Sequence, residues 1–253
     1  MTNLESFYIK FESPLSRPRR ESQRPPPPTR AVLPALTRFE FKGVSEYLED
    51  FVARIDAPLL DSIEVACFHQ LIFDTPRLAQ FMGRTVRFQE LKRVDVQFRH
   101  YSVRVETLPL SVTHDKMSGL EISCRELDWQ LSSVAQVFTA FIPSIDIVEH
   151  LYIRDFRYQP RYESSYDIDI LQWLEIFHRF TAVKNLNLSG ESVHNIALAL
   201  QELVGGRTME VLPTLQSIFL EELQPSGRIP EGIEKFVAAR QLSGHPITVS
   251  VWD

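Results

Sequence analysis

Seven histidines (His69, His100, His114, His150, His178, His194 and His245) are spread so that no two fall at a metal-ligand spacing such as histidine, glutamate, two residues, histidine. Neither a zinc site nor any other cofactor is expected. Ser192 and His194 in "GESVHN" are near enough in sequence to suggest a nucleophile and its base. Yet Ser192 lacks the flanking glycines of a nucleophile elbow, and the segment reads as a helix start. In "VGGRT" (204–208) backbone amides could bend around an anion, whereas a helix-terminating turn at Gly205 is the simpler use of that glycine pair. With no catalytic constellation in view, the chain is not expected to be an enzyme. The chemistry left to it is recognition through rows of side chains that pair, stack and hydrogen-bond.

Those rows come from a repeated pattern with apolar residues at positions one, four and six. It occurs as Leu4, Phe7, Ile9; Leu36, Phe39, Phe41; Leu60, Ile63, Val65; Leu91, Val94, Val96; Met117, Leu120, Ile122; Val148, Leu151, Ile153; Val183, Leu186, Leu188; and Leu215, Ile218, Leu220. Positions four and six share one face of an extended chain, so each copy supplies a short strand. Between copies lie stripes of helical period in 44–55, 74–84, 131–141, 170–180, 192–204 and 230–242. Ser45 is the expected cap of the first, Asp74 or Thr75 of the second, and Pro76 suits a first turn. Strands returned by helices build a parallel sheet, and repetition without closure builds a solenoid. The expected fold is α/β, a right-handed leucine-rich-repeat-like solenoid with the parallel sheet on its concave side and helices on its convex side. It spans 1–253 as one domain. Residues 17–32 form a Pro/Arg-rich loop insertion, because four successive prolines forbid a helix, and 245–253 supply a terminal strand with Ile247, Val249 and Val251 inward. "PPPPTR" also has the proline and arginine spacing that aromatic-lined adaptor grooves accept. The first triplet starts at Leu4 with nothing ahead of it to cap the stack, so the array is expected to begin partway through.

Composition agrees with a packed domain: 44% apolar residues, 17 phenylalanines and only 9 glycines. A formal net charge of −6 argues against nucleic acid as a partner. The balance is uneven, since residues 1–30 hold Lys10, Arg17, Arg19, Arg20, Arg24 and Arg30 against Glu5, Glu12 and Glu21. Two cysteines, Cys67 and Cys124, sit in apolar segments and read as small buried hydrophobes in a reducing compartment. With neither a signal peptide nor a long apolar run, the expected location is cytoplasmic or nuclear, with no membrane partner. Trp129, Trp173 and Trp252 read as packing residues.

The stretches "LPALTRFEFKGVSEYLEDFVARIDAPLL", "FHQLIFDTPRLAQFMGRT", "ISCRELDWQLSSVAQV", "VEHLYI", "FTAVKNLNLSGE", "LPTLQSIFLEELQPSG" and "EKFVAARQLSGHPITVSVW" resemble the leucine-rich-repeat part of fungal F-box proteins of mushroom-forming species. The resemblance implies a substrate-recognition role in a cullin-type ubiquitin ligase, with repeats that hold the protein to be ubiquitinated. Docking to the cullin-ligase adaptor is implied only with an F-box, which this sequence lacks ahead of its repeats. The asparagine usual at position nine is replaced by Glu12, Val44, Phe68, Arg99, Arg125, Phe156, Glu191 and Leu223, so a regular asparagine ladder is not implied.

In such a solenoid positions three, five and seven face the partner. Position three gives Ser6, Arg38, Ser62, Arg93, Gly119, His150, Asn185 and Ser217; position five gives Tyr8, Glu40, Glu64, Asp95, Glu121, Tyr152, Asn187 and Phe219. The protein-binding surface is therefore expected to include Arg38, Glu40, Glu64, Arg93, Asp95, Glu121, His150, Tyr152, Asn185, Asn187 and Phe219. Its first half should be an acidic stripe and its second an aromatic one, suiting a protein ligand with a basic segment and an exposed hydrophobe. The simpler reading is a solvated, self-neutralised face, with Arg38 and Arg93 offsetting the acids. Two other classes stay open: a hydrolase or transferase on an ordinary α/β fold, and a truncated relative without function.

Overall fold

The computed structural model describes residues 3–11, 29–68, 75–85, 88, 92–108, 118–123, 127–140, 142, 145–157, 170–221 and 228–252. Twelve strands are found among them: β1 (Ser6–Lys10), β2 (Ala31–Val32), β3 (Arg38–Gly43), β4 (Ile55–Asp56), β5 (Ser62–Cys67), β6 (Arg93–Arg99), β7 (Ser102–Leu108), β8 (Ser118–Ser123), β9 (His150–Asp155), β10 (Asn185–Gly190), β11 (Ser217–Glu221) and β12 (Thr248–Trp252). Ten form one sheet in the order β1-β3-β5-β8-β7-β6-β9-β10-β11-β12, and β2 pairs separately with β4. Every pairing is parallel except those of β7 with β6 and with β8. The architecture is mixed α/β around a large, mostly parallel sheet.

Each triplet seen in the sequence places its fourth and sixth residues on one face of a strand. Phe39, Phe41, Ile63, Val65, Leu151, Ile153, Leu186, Leu188, Ile218 and Leu220 are all buried there. Six helices pack on that face: α1 (Ser45–Val52), α2 (Pro76–Arg84), α3 (Leu127–Ala140), α4 (Ile170–His178), α5 (Ser192–Gln201) and α6 (Glu231–Leu242). Each falls within, or overlaps, one of the six stripes of helical period, and each touches its chain neighbour. Their inward residues (Leu48, Leu78, Val134, Phe177, Ile196 and Phe236 among them) join the strand residues in one apolar cluster.

The repeat is also written in the backbone just ahead of the strands. The Glu5 carbonyl accepts the Thr37 and Arg38 amides, and Thr37 accepts those of Asp61 and Ser62. Lys92 serves Glu149 and His150 in the same way, Glu149 serves Lys184 and Asn185, Lys184 serves Gln216 and Ser217, and Gln216 serves Thr248. One carbonyl forked to two amides thus fixes the start of five strands, β3, β5, β9, β10 and β11, and a single amide does so for β12.

The structure corrects three readings. First, the eight triplets do not lie in chain order: the fourth (β6) and fifth (β8) exchange places, so β8 sits against β5 and β6 against β9. The cause is β7, a strand without the triplet pattern, which turns back from β6 through His100 and Tyr101 and pairs antiparallel on both sides. Second, β8 is displaced by two residues from the expected register, with Leu120 opposite Val65 and Gly119 opposite Glu64. Third, Ala31 and Val32 leave the proline-rich insertion to pair with Ile55 and Asp56; residues 12–28 lie outside the described part of the chain.

Caps and turns differ in detail as well. Ser45 is already helical, and neither α1 nor α2 has a capping bond from its own cap residue. Instead the buried Glu49 carboxylate of α1 accepts the Arg77 and Leu78 amides at 3.0 and 2.7 Å, so an acid from one helix stabilises the start of the next. Pro76 opens α2 as expected. Gly190 ends β10 at φ +79°, and a Cβ there would lie 2.0 Å from the Asp155 carbonyl oxygen. The connection from α5 to β11 is held by Arg240 of α6. This arginine is buried, and its guanidinium donates to the carbonyls of Thr208, Leu212, Pro213 and Leu215 at 3.1 to 3.5 Å. On β12, Ile247 ahead of the strand is buried and Val249 partly so, but Val251 lies beyond the helices and is exposed.

Candidate functional site: the open face of the sheet

Side chains alternate along a strand, so residues between the core positions emerge on the face without helices. Across its middle run Tyr8, Glu40, Glu64, Gly119, Glu106, Asp95, Tyr152, Asn187, Phe219 and Ser250, each opposite the next. Arg38, His150 and Asn185 stand one row to the N-terminal side, with Arg93; Glu121, Arg104, Gln97 and Arg154 stand one row beyond. All eleven residues expected to face a partner lie on this open face of the sheet.

The acids do not form the expected stripe. Glu40 and Glu64 are neighbours, but Glu121 is a row away and Asp95 lies three strands from Glu64. Each also has a cation. Lys10 meets Glu40 at 2.7 Å. Arg104, on the strand that lacks the triplet, reaches Glu106 at 2.5 Å, Glu121 at 3.7 Å and Glu64 at 3.8 Å. Gly119 makes that reach possible, since a Cβ there would meet the Arg104 guanidinium at 3.0 Å. Arg38, expected to offset an acid, lies over the Tyr8 ring instead. Strand parity could have exposed Arg104 and Glu106 to sequence reading, because Val103, Val105 and Thr107 alternate with them.

At the centre Asp95 is the most enclosed charge, its side chain 3% exposed. One of its oxygens faces Arg154 at 3.3 Å and Arg93 at 3.6 Å, while Oδ1 has no hydrogen-bond partner. Burial pushes this carboxyl above the usual range and Glu106 adds to the rise, against the pull of Arg154 and Arg93. The same two arginines clasp Tyr152, with guanidinium carbons 3.9 Å (Arg93) and 5.4 Å (Arg154) from the ring centre. At the rim, Glu149 bonds Lys92 and Lys184, both at 2.9 Å, which hold its carboxyl down at about 2. His150 shares a 3.3 Å contact with Asn185, and burial lowers its pKa.

Strands β10 to β12 are different in kind. They present Asn185, Asn187, Ser189, Ser217, Phe219, Thr248, Ser250 and Trp252, with Glu221 their one charged residue on this face. Ser217 and Thr248 bond each other at 2.9 Å. Phe219 and Trp252 stand 6.5 Å apart at 48°, and Trp252, expected as packing, is 59% exposed. Trp173 does pack, buried against Phe98.

No protein-family model matches this chain, nor does any curated protein or solved structure. The assignment of sites rests on the geometry. Ser192 is buried at the start of α5 while His194 points outward, so the two do not converge. Gly205 and Gly206, both at positive φ, lie in the turns after α5. Among the described residues no group of three or more His, Cys, Asp or Glu is placed to hold a metal ion, and no helix is long and apolar enough to cross a membrane. Cys67 is buried, which pushes its thiol up to about 12; Cys124 lies outside the described residues.

Proposed function

We propose that this chain is a protein-binding module: a right-handed, leucine-rich-repeat-like solenoid whose open, concave sheet face holds another protein. The observation that carries the reading is the forked carbonyl recurring at one strand after another, which sets successive strands in register and presents one open row of side chains across the sheet. Such a surface recognises by extent and pattern rather than through a deep pocket. Similarity to the repeat region of fungal F-box proteins supports a role in holding a ubiquitination substrate, with a cullin adaptor engaged only through an additional F-box segment. On this reading the chain works without cofactor, nucleic acid or membrane.

Affinity purification from the native cell, followed by mass spectrometry, tests it. Partners of the wild type should be lost from Arg154→Glu plus Phe219→Ala, on the sheet face, and kept by Leu242→Ser, on the far end of α6. Partners indifferent to the sheet-face pair would overturn the reading. A cullin adaptor among the proteins recovered would support the ligase role, and its absence would remove that role from this chain.

A further inference from the structure

The open face carries its charge in bands. On β1 and β3, Lys10, Arg38 and Lys42 stand against Glu40; on β5, β8 and β7, Arg104 stands against Glu64, Glu106 and Glu121. On β6 and β9, Arg93, Arg99 and Arg154 stand against Asp95. The bands therefore run positive, negative, positive, and then nearly neutral over β10 to β12. The second positive band adjoins the neutral aromatic one, and this boundary is where the face is least self-satisfied. Arg93 and Arg154 share one Asp95 oxygen, and the Arg93 Nε has no partner. Next to them the Asn187 amide has no side-chain partner among the described residues.

We infer that the β9–β12 half of this face binds an extended peptide carrying one carboxylate beside Arg93 and Arg154 and, four residues along, an apolar side chain between Phe219 and Trp252. The inference rests on the protein-binding reading above. Two guanidiniums neutralised by a single acid leave one positive charge, which matches a carboxylate better than a doubly charged phosphate. Asn187 offers a donor and an acceptor together, the complement of a peptide unit, without the cost of desolvating an ion. The spacing follows from the sheet. From β9 to the gap between β11 and β12 is two and a half strand separations, ~12 Å, and an extended chain covers that in about four residues, returning a side chain to the same face. The expected partner thus has the opposite charge from the basic segment that the sequence suggested, because Lys10 and Arg104 already occupy the acids of the first half.

A phage library of random twelve-residue peptides, panned against the whole chain, tests this. The expected result is enrichment of Asp or Glu four residues from Leu, Phe, Ile or Trp. A synthetic copy of an enriched peptide should shift Trp252 emission to the blue, a change absent from Trp252→Phe. Its affinity should fall about tenfold or more in Arg154→Glu and in Phe219→Ala, with the circular dichroism spectrum unchanged, and should fall with added salt. Replacing its acid by phosphoserine should not improve binding. No enrichment, enrichment of basic peptides, or tighter phosphoserine binding overturns the inference. If the selected peptides lack the acid yet are lost in both variants, only the inference fails. If they bind both variants as well as wild type, the protein-binding reading of this face fails with it.

Discussion

The central strands β8, β7 and β6 and the C-terminal strands β9 to β12 belong to one sheet but solve different problems. In the C-terminal block the steps are alike: partners 31 to 35 residues apart in sequence, a carbonyl of the preceding strand's lead residue bonded at the start of each strand, and a helix between each strand and the next. Charge on its open face thins out after β9. In the centre the steps are unlike, with a tight antiparallel return between partners 57 residues apart at β6–β9 and 55 at β5–β8. There the open face holds Asp95, Glu106 and Arg104 in close contact. Where the backbone repeats, side chains are left available; where it breaks its repeat, side chains are consumed in holding the break together.

That contrast can be attacked at four points. The largest effect should come from the regular block. Arg240→Ala leaves four carbonyls of the 208–215 connection without their buried donor, and equilibrium urea unfolding should show a loss of about 3–5 kcal/mol. Gly190→Ala should cost about 2–4 kcal/mol, because both its φ and the nearby Asp155 carbonyl oppose a side chain. In the centre, Arg104→Ala strips the shared cation from Glu64, Glu106 and Glu121. A loss of about 1–2 kcal/mol is expected at low salt, shrinking as added salt screens the charges; an unchanged deficit in high salt would make its role packing rather than charge.

The smallest effect belongs to the rim. Glu149 has a folded-state pKa depressed to about 2 by Lys92 and Lys184, while an unfolded glutamate titrates near ~4.3. Its stabilisation is therefore complete above that value and disappears as pH falls towards 2. Glu149→Gln should lower the melting temperature by about 2 °C at pH 7 and low salt, and the two curves should converge between these limits.

Much of the architecture was written in local period. The apolar triplets and helical stripes locate every helix described and every long strand but β7 and β12, the last of which alternation alone reveals, because burial on one face imposes a spacing that residue types reveal. Strand order is a different kind of information. Nothing in the triplets of β6 and β8 says which neighbour each will choose; the choice is made by β7, whose position one is His100 rather than an apolar residue. The site followed suit. Tyr152, Asn187 and Phe219 were legible as open-face residues from parity alone. The partners that decide their chemistry were not, since parity puts Arg154, at position seven, on the open face without saying that Asp95 and Tyr152 share it, and Trp252 belongs to a strand outside the triplet pattern.

The exchange of β6 and β8 also governs how the chain reaches this state. Strands β6 and β7 are joined by a two-residue turn and can close within microseconds, whereas the seams β5–β8 and β6–β9 each require ends more than fifty residues apart to meet. Loop closure alone therefore predicts that the hairpin forms early and the two flanks join it late, with the slow step at the middle of the molecule rather than at either terminus.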